Sequence, residues 1–219
     1  MSLFDPKYFI KKSKVNRVVE RKIENKFRAW KLGKDYYDGD RNNGYGGFTY
    51  DGRWLKLLPR IIKKYKLKEN SKILDLGCKK GFIMKDLKIL LPKAKIYGIE
   101  DHIYPINNAE KEIKKNIIFS KYYKIPFKKN YFDLVIGFSS IYKYNFYDVV
   151  KTINEINRVS KKSFITVASY SNQKEKELFE KWTLLASTFL HKKDWKKLFK
   201  ITKYKGDHYF TTAKSLNLR

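Results

Sequence analysis

The spacing of apolar residues changes period several times along this chain, and each change marks an element. Between residues 7 and 31, Phe9, Val15, Val18, Val19, Ile23, Phe27 and Trp30 stand among charges, mostly three or four apart. That spacing predicts an amphipathic helix whose apolar stripe covers something. A helix bent at Pro59 is predicted over residues 54–66. From residue 71 short apolar runs alternate with helical segments, the pattern of a parallel α/β sheet. Strands are predicted at residues 71–76, 95–100, 116–119, 132–138 and 163–169, and helices at 81–90, 104–114 and 146–159. The run 132–138 is almost continuously apolar, as a strand covered on both faces should be. Val149, Val150, Ile153 and Ile156 share one face of the helix after it. Helices near residues 173–189 and 194–204 and a strand around 208–212 are expected to complete a seven-stranded sheet with a reversed last strand.

Residues 36–54 break the periodicity. Glycine, asparagine and aspartate are too dense there for regular structure, yet five tyrosines and phenylalanines are interleaved with them. A long loop rich in aromatics is either a lid that grips substrate or an Ω-loop packed by its own rings. At 219 residues the chain suits one α/β domain with a decoration. Residues 1–54 are therefore read as a dependent N-terminal helix and lid loop, and residues 55–219 as the main domain.

Composition narrows the function classes. No stretch reaches the roughly 20 apolar residues of a membrane span, and residues 1–9 lead into no apolar signal core, so a cytoplasmic protein is expected. The single cysteine, Cys78, excludes a disulfide framework and a cysteine-rich zinc site. The 50 Lys+Arg against 22 Asp+Glu give a formal charge of +28. The excess is mostly lysine, scattered along nearly every segment, whereas a nucleic-acid surface concentrates arginine and lysine on one face. Nucleic acid is thus disfavoured as a partner, RNA stays open on charge alone, and an anionic small molecule fits either way.

In an open parallel sheet, ligands bind beyond the carboxyl ends of the strands, where strand order reverses. The segment Ile73-Leu-Asp-Leu-Gly-Cys-Lys-Lys-Gly-Phe, at the end of the first strand, resembles motif I of class I S-adenosylmethionine-dependent methyltransferases. Tyr97-Gly-Ile-Glu resembles their acidic second-strand end, and Ile125-Pro-Phe before Phe132-Asp-Leu-Val-Ile falls where theirs does. The resemblance implies a Rossmann-like class I methyltransferase fold: a seven-stranded, mostly parallel sheet with helices on both faces, here under an N-terminal helical cover. It implies S-adenosyl-L-methionine as cofactor, with Asp75, Gly77, Cys78 and Gly81 at its methionine end. Glu100 would take the ribose hydroxyls, with Asp101, Tyr122 and Phe138 nearby. Tyr36-Tyr-Asp-Gly-Asp-Arg, Gly44-Tyr-Gly-Gly, Tyr50-Asp-Gly-Arg-Trp, Glu155-Ile-Asn-Arg, Ser169-Tyr, Trp182, Trp195 and Lys205-Gly-Asp are similar to a narrower group. Its members are small methyltransferases of capsule and surface-polysaccharide gene clusters. An activated saccharide or phosphorylated acceptor, methylated at oxygen, is the implied substrate.

The chain also departs from that pattern. Lys79 stands at a usual glycine, Lys121 or its neighbours at a usual adenine-binding acid, and Ser139, Ser140, Tyr142, Thr183, Leu185 and Ala186 where the narrower group has other polar residues. An inactive member, partnering a catalytic paralogue, is the alternative these substitutions raise; a homodimer or such a heterodimer is the expected assembly. Residues after the fourth strand face the reacting methyl in this fold, so Tyr142, Ser139 and Ser140 are the catalytic candidates, with Tyr144 beside them. Tyr45, Tyr50, Arg41 and Arg53 in the lid loop are candidates for the acceptor, since guanidinium groups suit a phosphate. His102 is read as a pocket or exposed loop residue, His191 as a helix cap or surface residue and His208 as structural. No zinc or iron spacing of ligands is present, and no metal is expected.

Overall fold

The computed structural model describes residues 21–44 and 46–218. The predicted helix before Arg21, with Phe9, Val15, Val18 and Val19, lies outside them, as does Tyr45. Among the described residues one sheet contains β1 (Lys72–Leu76), β2 (Lys95–Glu100), β3 (Ile117–Phe119), β4 (Leu134–Gly137), β5 (Ser163–Tyr170), β6 (Leu190–His191) and β7 (Asp207–Thr211). The order is β3-β2-β1-β4-β5-β6, and β7 also pairs with β5. The chain begins at β1, builds outward through β2 and β3, and resumes on the other side of β1 with β4. The switch point between β1 and β4 therefore opens at the ends carrying Gly77 and Ser139.

Alternation along each strand sorts the apolar residues into two cores. Ile73, Leu134, Ile136 and Phe164 join a cluster with α3 (Leu58–Tyr65) and α4 (Phe82–Leu90). Leu74, Val135, Ile165 and Val167 join another, with α7 (Phe146–Val159) and α9 (Lys192–Ile201). Because both faces are covered, the strands read as unbroken apolar runs. Helix α7 spans the residues its pattern predicts, and Asn145 caps it by accepting from the Asp148 N–H at 2.9 Å.

Several expectations are corrected. Strand β7 runs parallel to β5, from Phe164↔Asp207 to Ala168↔Thr211, and is not reversed. Strand β6 adds to the far end of β5 at Ser169 and Tyr170, and α9 then returns the chain to the end where β5 begins. A helical crossover of that kind delivers a parallel strand, whereas reversal needs a hairpin-like return. The helix expected over 104–114 is split into α5 (Ile103–Asn107) and α6 (Lys111–Lys114). Between them the Glu110 N–H donates to the Lys80 carbonyl at 3.2 Å and the Glu110 carboxylate pairs with Lys85 at 2.6 Å. The helix expected over 173–189 stops as α8 (Gln173–Trp182). The chain after it is held elsewhere, because the Ser187 and Thr188 N–H groups both donate to the Tyr142 carbonyl. Pro59 lies in the first turn of α3, where its missing N–H costs nothing, so it starts the helix and does not bend it. In α1 (Ile23–Trp30) only Ala29 is buried, and Ile23, Phe27 and Trp30 are all more than half exposed. The described part of the N-terminal stripe therefore covers no core. The segment is tied by Ala29, which packs in a small cluster with Leu32, Tyr36 and Tyr37, and by polar atoms, with Trp30 Nε1 donating to the Leu184 carbonyl at 2.9 Å and Lys26 Nζ to that of Glu180 at 3.2 Å. Among the described residues no helix is long and apolar enough to cross a membrane.

Candidate active site

The turn after β1 is built by close approach. Gly77 and Gly81 both have φ of +80°. A Cβ on Gly81 would lie 2.1 Å from Ile113 Cδ1, and one on Gly77 would lie 2.5 Å from Ser140 Cβ and 3.0 Å from Tyr122 Oη. Only glycine meets both demands. The hollow above Gly77 is thus filled by Ser140 and Tyr122. The backbone N–H groups of this turn are taken up within the fold. Those of Gly77 and Cys78 donate to the Ile99 carbonyl at 2.8 and 3.1 Å, and that of Gly81 to the Cys78 carbonyl at 2.8 Å. Lys79, where a glycine is usual, takes the left-handed conformation with φ of +55°, and its N–H donates to Glu100 Oε2 at 3.0 Å.

At the end of β2 the side chain of Glu100 is 1% exposed. It also accepts from the Asp101 N–H at 2.9 Å and the Tyr122 hydroxyl at 3.2 Å. Asp101 accepts from Tyr144 Oη at 2.6 Å, Lys121 Nζ at 3.3 Å and Lys143 Nζ, and bonds His102 Nδ1 at 2.7 Å. Burial opposes ionisation of Asp101, but the bonds from His102, Lys143 and Tyr144 outweigh it and hold the carboxyl far below the usual range. Burial works against the charged form of His102 too, yet Asp101 and Glu100 raise it above its ordinary value. Burial, with Glu100 and Asp101 behind it, pushes Tyr122 well up. Glu100, Asp101 and His102 bring potential metal donors within 4.8 Å of one another, a cluster the ligand-spacing reading did not find. The Lys143 ammonium lies among them, 3.8 Å from Glu100 and 2.9 Å from Tyr122 Oη, and supplies the positive charge itself. Below the turn Asp75 is fully buried, one of its oxygens has no partner, and burial pushes its carboxyl up to about 7.

A cavity of about 200 Å³ opens at this end of the sheet, lined from the core by Lys79, Glu100, Tyr122, Ser139, Ser140 and Tyr142. The N-terminal segment contributes Arg21, Tyr36, Tyr37 and Arg41 to its lining, and Leu184 and Leu185 line it as well. A second cavity of about 270 Å³ is lined by Asp101, His102, Lys121 and Tyr144. Leu32, Lys143 and Leu185 line both, so the Lys143 side chain stands in the wall between them. Each cavity alone is below the roughly 300–1,000 Å³ of ordinary ligand pockets.

Of the residues singled out by sequence, the structure gathers Glu100, Tyr122, Ser139, Ser140, Tyr142 and Arg41 on one cavity and puts Asp101 and His102 on the next. Ser139 is held with φ of +49° by donating its N–H to Thr166 Oγ1 at 2.7 Å, an uncommon conformation for a side-chain-bearing residue. The others point elsewhere. Cys78 packs beneath Gly98 beside Met84. Phe138 lies in the α4-side core, 4.7 Å from the Trp54 ring. Tyr50 donates to Asp86 at 2.6 Å, and Arg53 pairs with Asp51 at 2.8 Å in solvent. His191 caps α9, its Nδ1 accepting from the Lys193 N–H at 3.1 Å, while His208 packs on Phe199.

Sequence reasoning missed Lys143, Arg21 and the clamp that seats the aromatic loop. Lys80, with 9% of its side chain exposed, places its ammonium 2.6 and 2.8 Å from the two oxygens of Asp38 and 3.0 Å from the Phe48 carbonyl. Tyr104 donates to the same carboxylate at 2.8 Å, and Phe48 stacks on Phe82 at 4.6 Å. The aromatic loop is therefore bolted to the turn after β1. Removing one partner of a largely buried pair strands the other charge. Lys80→Met is expected to cost about 2–3 kcal/mol in denaturant unfolding, and the double variant with Asp38→Asn to recover more than half. An unchanged midpoint for Lys80→Met would show the clamp to be idle.

Comparison with known proteins agrees with this geometry. A family model described as a methyltransferase domain matches residues 67–206. Malonyl-[acyl-carrier protein] O-methyltransferase of Legionella pneumophila is 32% identical over 111 residues, covering 49% of this chain and 34% of that protein. The uncharacterized protein MJ1252 of Methanocaldococcus jannaschii is 27% identical over 139 residues, covering 64% of this chain and 51% of that one. The chain thus spans between a third and about half of the length of these curated relatives. Among solved structures, the YcgJ protein of Bacillus subtilis superposes with a TM-score of 0.54 at 17% identity over 66% of each chain. A chain of the Haloferax volcanii complex that contains the Trm112 methyltransferase activator gives 0.55 at 16% identity over 68% of this chain and 67% of that one. At such identities the likeness is one of fold.

Proposed function

The chain belongs to the methyltransferase domain family, and from that premise we propose that it moves the methyl group of S-adenosylmethionine to an oxygen of a small activated saccharide or other phosphorylated metabolite. The observation that carries this reading is the buried Glu100 at the end of β2, lining a cavity at the switch point beside the glycine turn. The residues fit the cofactor. Glu100 suits a ribose diol, and Asp75 Oδ2 and Ser140 Oγ are buried polar atoms without partners beside the turn. The cofactor brings a methyl group on a positively charged sulfur, open to in-line displacement. What the chain adds is position and exclusion of water. Tyr36, Tyr37, Leu184 and Leu185 wall the cavity, and Ser139, Ser140 and Tyr142 offer hydroxyls to orient an acceptor. Oxygen as the acceptor atom is supported by the named activity of the Legionella relative. The similarity of the lid segment to capsule-cluster methyltransferases supports a saccharide.

A second reading, a methyltransferase-like subunit without activity of its own, is favoured by the Lys143 ammonium seated at the two carboxylates and by the filled hollow above Gly77. Calorimetric titration with S-adenosylmethionine separates the two. On the first reading Lys143 must leave the shared wall for the cofactor to bridge both cavities, so Lys143→Met is expected to bind about tenfold more tightly than the parent. If neither protein gives heat with S-adenosylmethionine or its demethylated product, the inactive reading stands.

A further inference from the structure

We propose that Arg21 and Arg41 form an anion subsite in the cavity that Glu100 also lines, built for a doubly charged phosphate group on the acceptor. Only the identification of the bound molecule as acceptor rests on the methyl-transfer reading; the subsite itself rests on the arrangement of charges.

Arg21 Nη1 donates to the Arg41 carbonyl at 2.6 Å, and the Arg21 N–H donates to the Lys181 carbonyl at 3.1 Å, just before the end of α8. Arg21 and Arg41 both line the same cavity, Arg41 with its side chain exposed. The Nε of Arg21 is buried and has no hydrogen-bond partner. A buried donor of that kind is uncommon in a folded protein and marks a place where an acceptor belongs. Burial, and then the Arg41 charge, hold Arg21 below its ordinary pKa, whereas Asp40 raises it. Asp40 is exposed, and its Oδ1 accepts from the Asn42 N–H at 2.8 Å. Lys79 and Lys143 line the cavity as well. Its lining carboxylate, Glu100, already accepts from Lys79, Asp101 and Tyr122. The arginine wall thus has an excess of positive charge that a ligand anion would balance. A guanidinium presents its donors as a planar fork that fits two oxygens of a phosphate. General surface basicity does not account for this, because lysines scattered in solvent leave no donor buried without a partner.

The test is calorimetry of the full chain with inorganic phosphate at fixed ionic strength, and separately with S-adenosylmethionine. Saturable binding of one phosphate per chain is expected. Arg21→Met and Arg41→Met are each expected to weaken it at least tenfold, and Arg21→Lys, which keeps the charge but not the fork, at least threefold. Lys192→Met with Lys196→Met, remote from this cavity, should leave it within twofold. Phosphate and S-adenosylmethionine should bind together. Absence of saturable binding, equal losses in the remote variant, or affinities unchanged in Arg41→Met and Arg21→Lys would overturn the subsite. Mutual exclusion of the two ligands would overturn its assignment to the acceptor and give the arginines to the cofactor's own carboxylate. If S-adenosylmethionine fails to bind while phosphate does, the methyl-transfer reading falls and the subsite remains.

Discussion

Glu100→Gln is expected to weaken S-adenosylmethionine binding about a hundredfold. Glutamine keeps the shape of the side chain but only one accepting oxygen, whereas Glu100 accepts from the Lys79 N–H, the Asp101 N–H and the Tyr122 hydroxyl. The new amide group must turn its own N–H toward one of those donors, leaving less accepting capacity for a ribose. Hydrogen bonds to a charged group contribute roughly 1.5–3 kcal/mol each, and about 2.7 kcal/mol is a hundredfold in affinity. The readout is calorimetry with S-adenosylmethionine, backed by circular dichroism to show the sheet intact. An affinity within threefold of the parent would remove Glu100 from the cofactor site.

Asp75→Asn is expected to stabilise the chain above neutral pH and to do little in acid. Burial pushes the Asp75 carboxyl up from 3.8 to about 7, with Lys79 pulling down and Glu100 adding to the rise. The folded chain therefore holds a proton that the unfolded chain releases. The stability linked to that proton is fully present below pH 3.8 and is lost as pH climbs through about 7. The gap corresponds to roughly 4 kcal/mol, at about 1.4 kcal/mol for each tenfold change in the proton equilibrium. Asparagine carries no charge at any pH, so unfolding at pH 8 should show most of this as a gain over the parent, and unfolding near pH 4 almost none. A pH-independent difference between the two proteins would mean that folding does not raise the Asp75 carboxyl at all. If the unpartnered Asp75 oxygen also meets the cofactor, the stabilised variant will bind S-adenosylmethionine less well, a trade of stability for function seen wherever a buried charge is kept for use.

What was legible in the sequence was what neighbouring residues state together. Helix α7 and strand β2 fall where the periodicity puts them, because an apolar stripe or run is a local property that burial then rewards. The glycine turn and the acidic end of β2 were legible through the resemblance of residues 73–82 and 97–100 to methyltransferase motifs. Their contacts are distant in the chain: Gly81 faces Ile113, Gly77 faces Tyr122 and Ser140, and Glu100 accepts from Lys79 and Tyr122. The direction of β7 was not legible, since it depends on where α9 returns the chain. Neither was the exposure of Ile23, Phe27 and Trp30, whose stripe looks alike whether or not anything covers it.

The ions show the boundary most sharply. Lys80, Lys143 and Arg21 are three among 50 Lys+Arg, and their sequence neighbours do not distinguish them. Each acquires its role from a residue at least 20 positions away: Lys80 from Asp38, Lys143 from Asp101, Arg21 from Arg41. The sequence by itself determined alternating strands and helices with a glycine turn after the first strand, because strand period and backbone conformation are set by side chains within a few residues. Only the tertiary structure decided which cations the site owns, how the aromatic loop is fastened and which cavity wall Lys143 occupies. Electrostatic partners are chosen by distance in space, and a chain with lysine in nearly every segment offers many candidates until folding brings a few of them within 3 or 4 Å of a carboxylate.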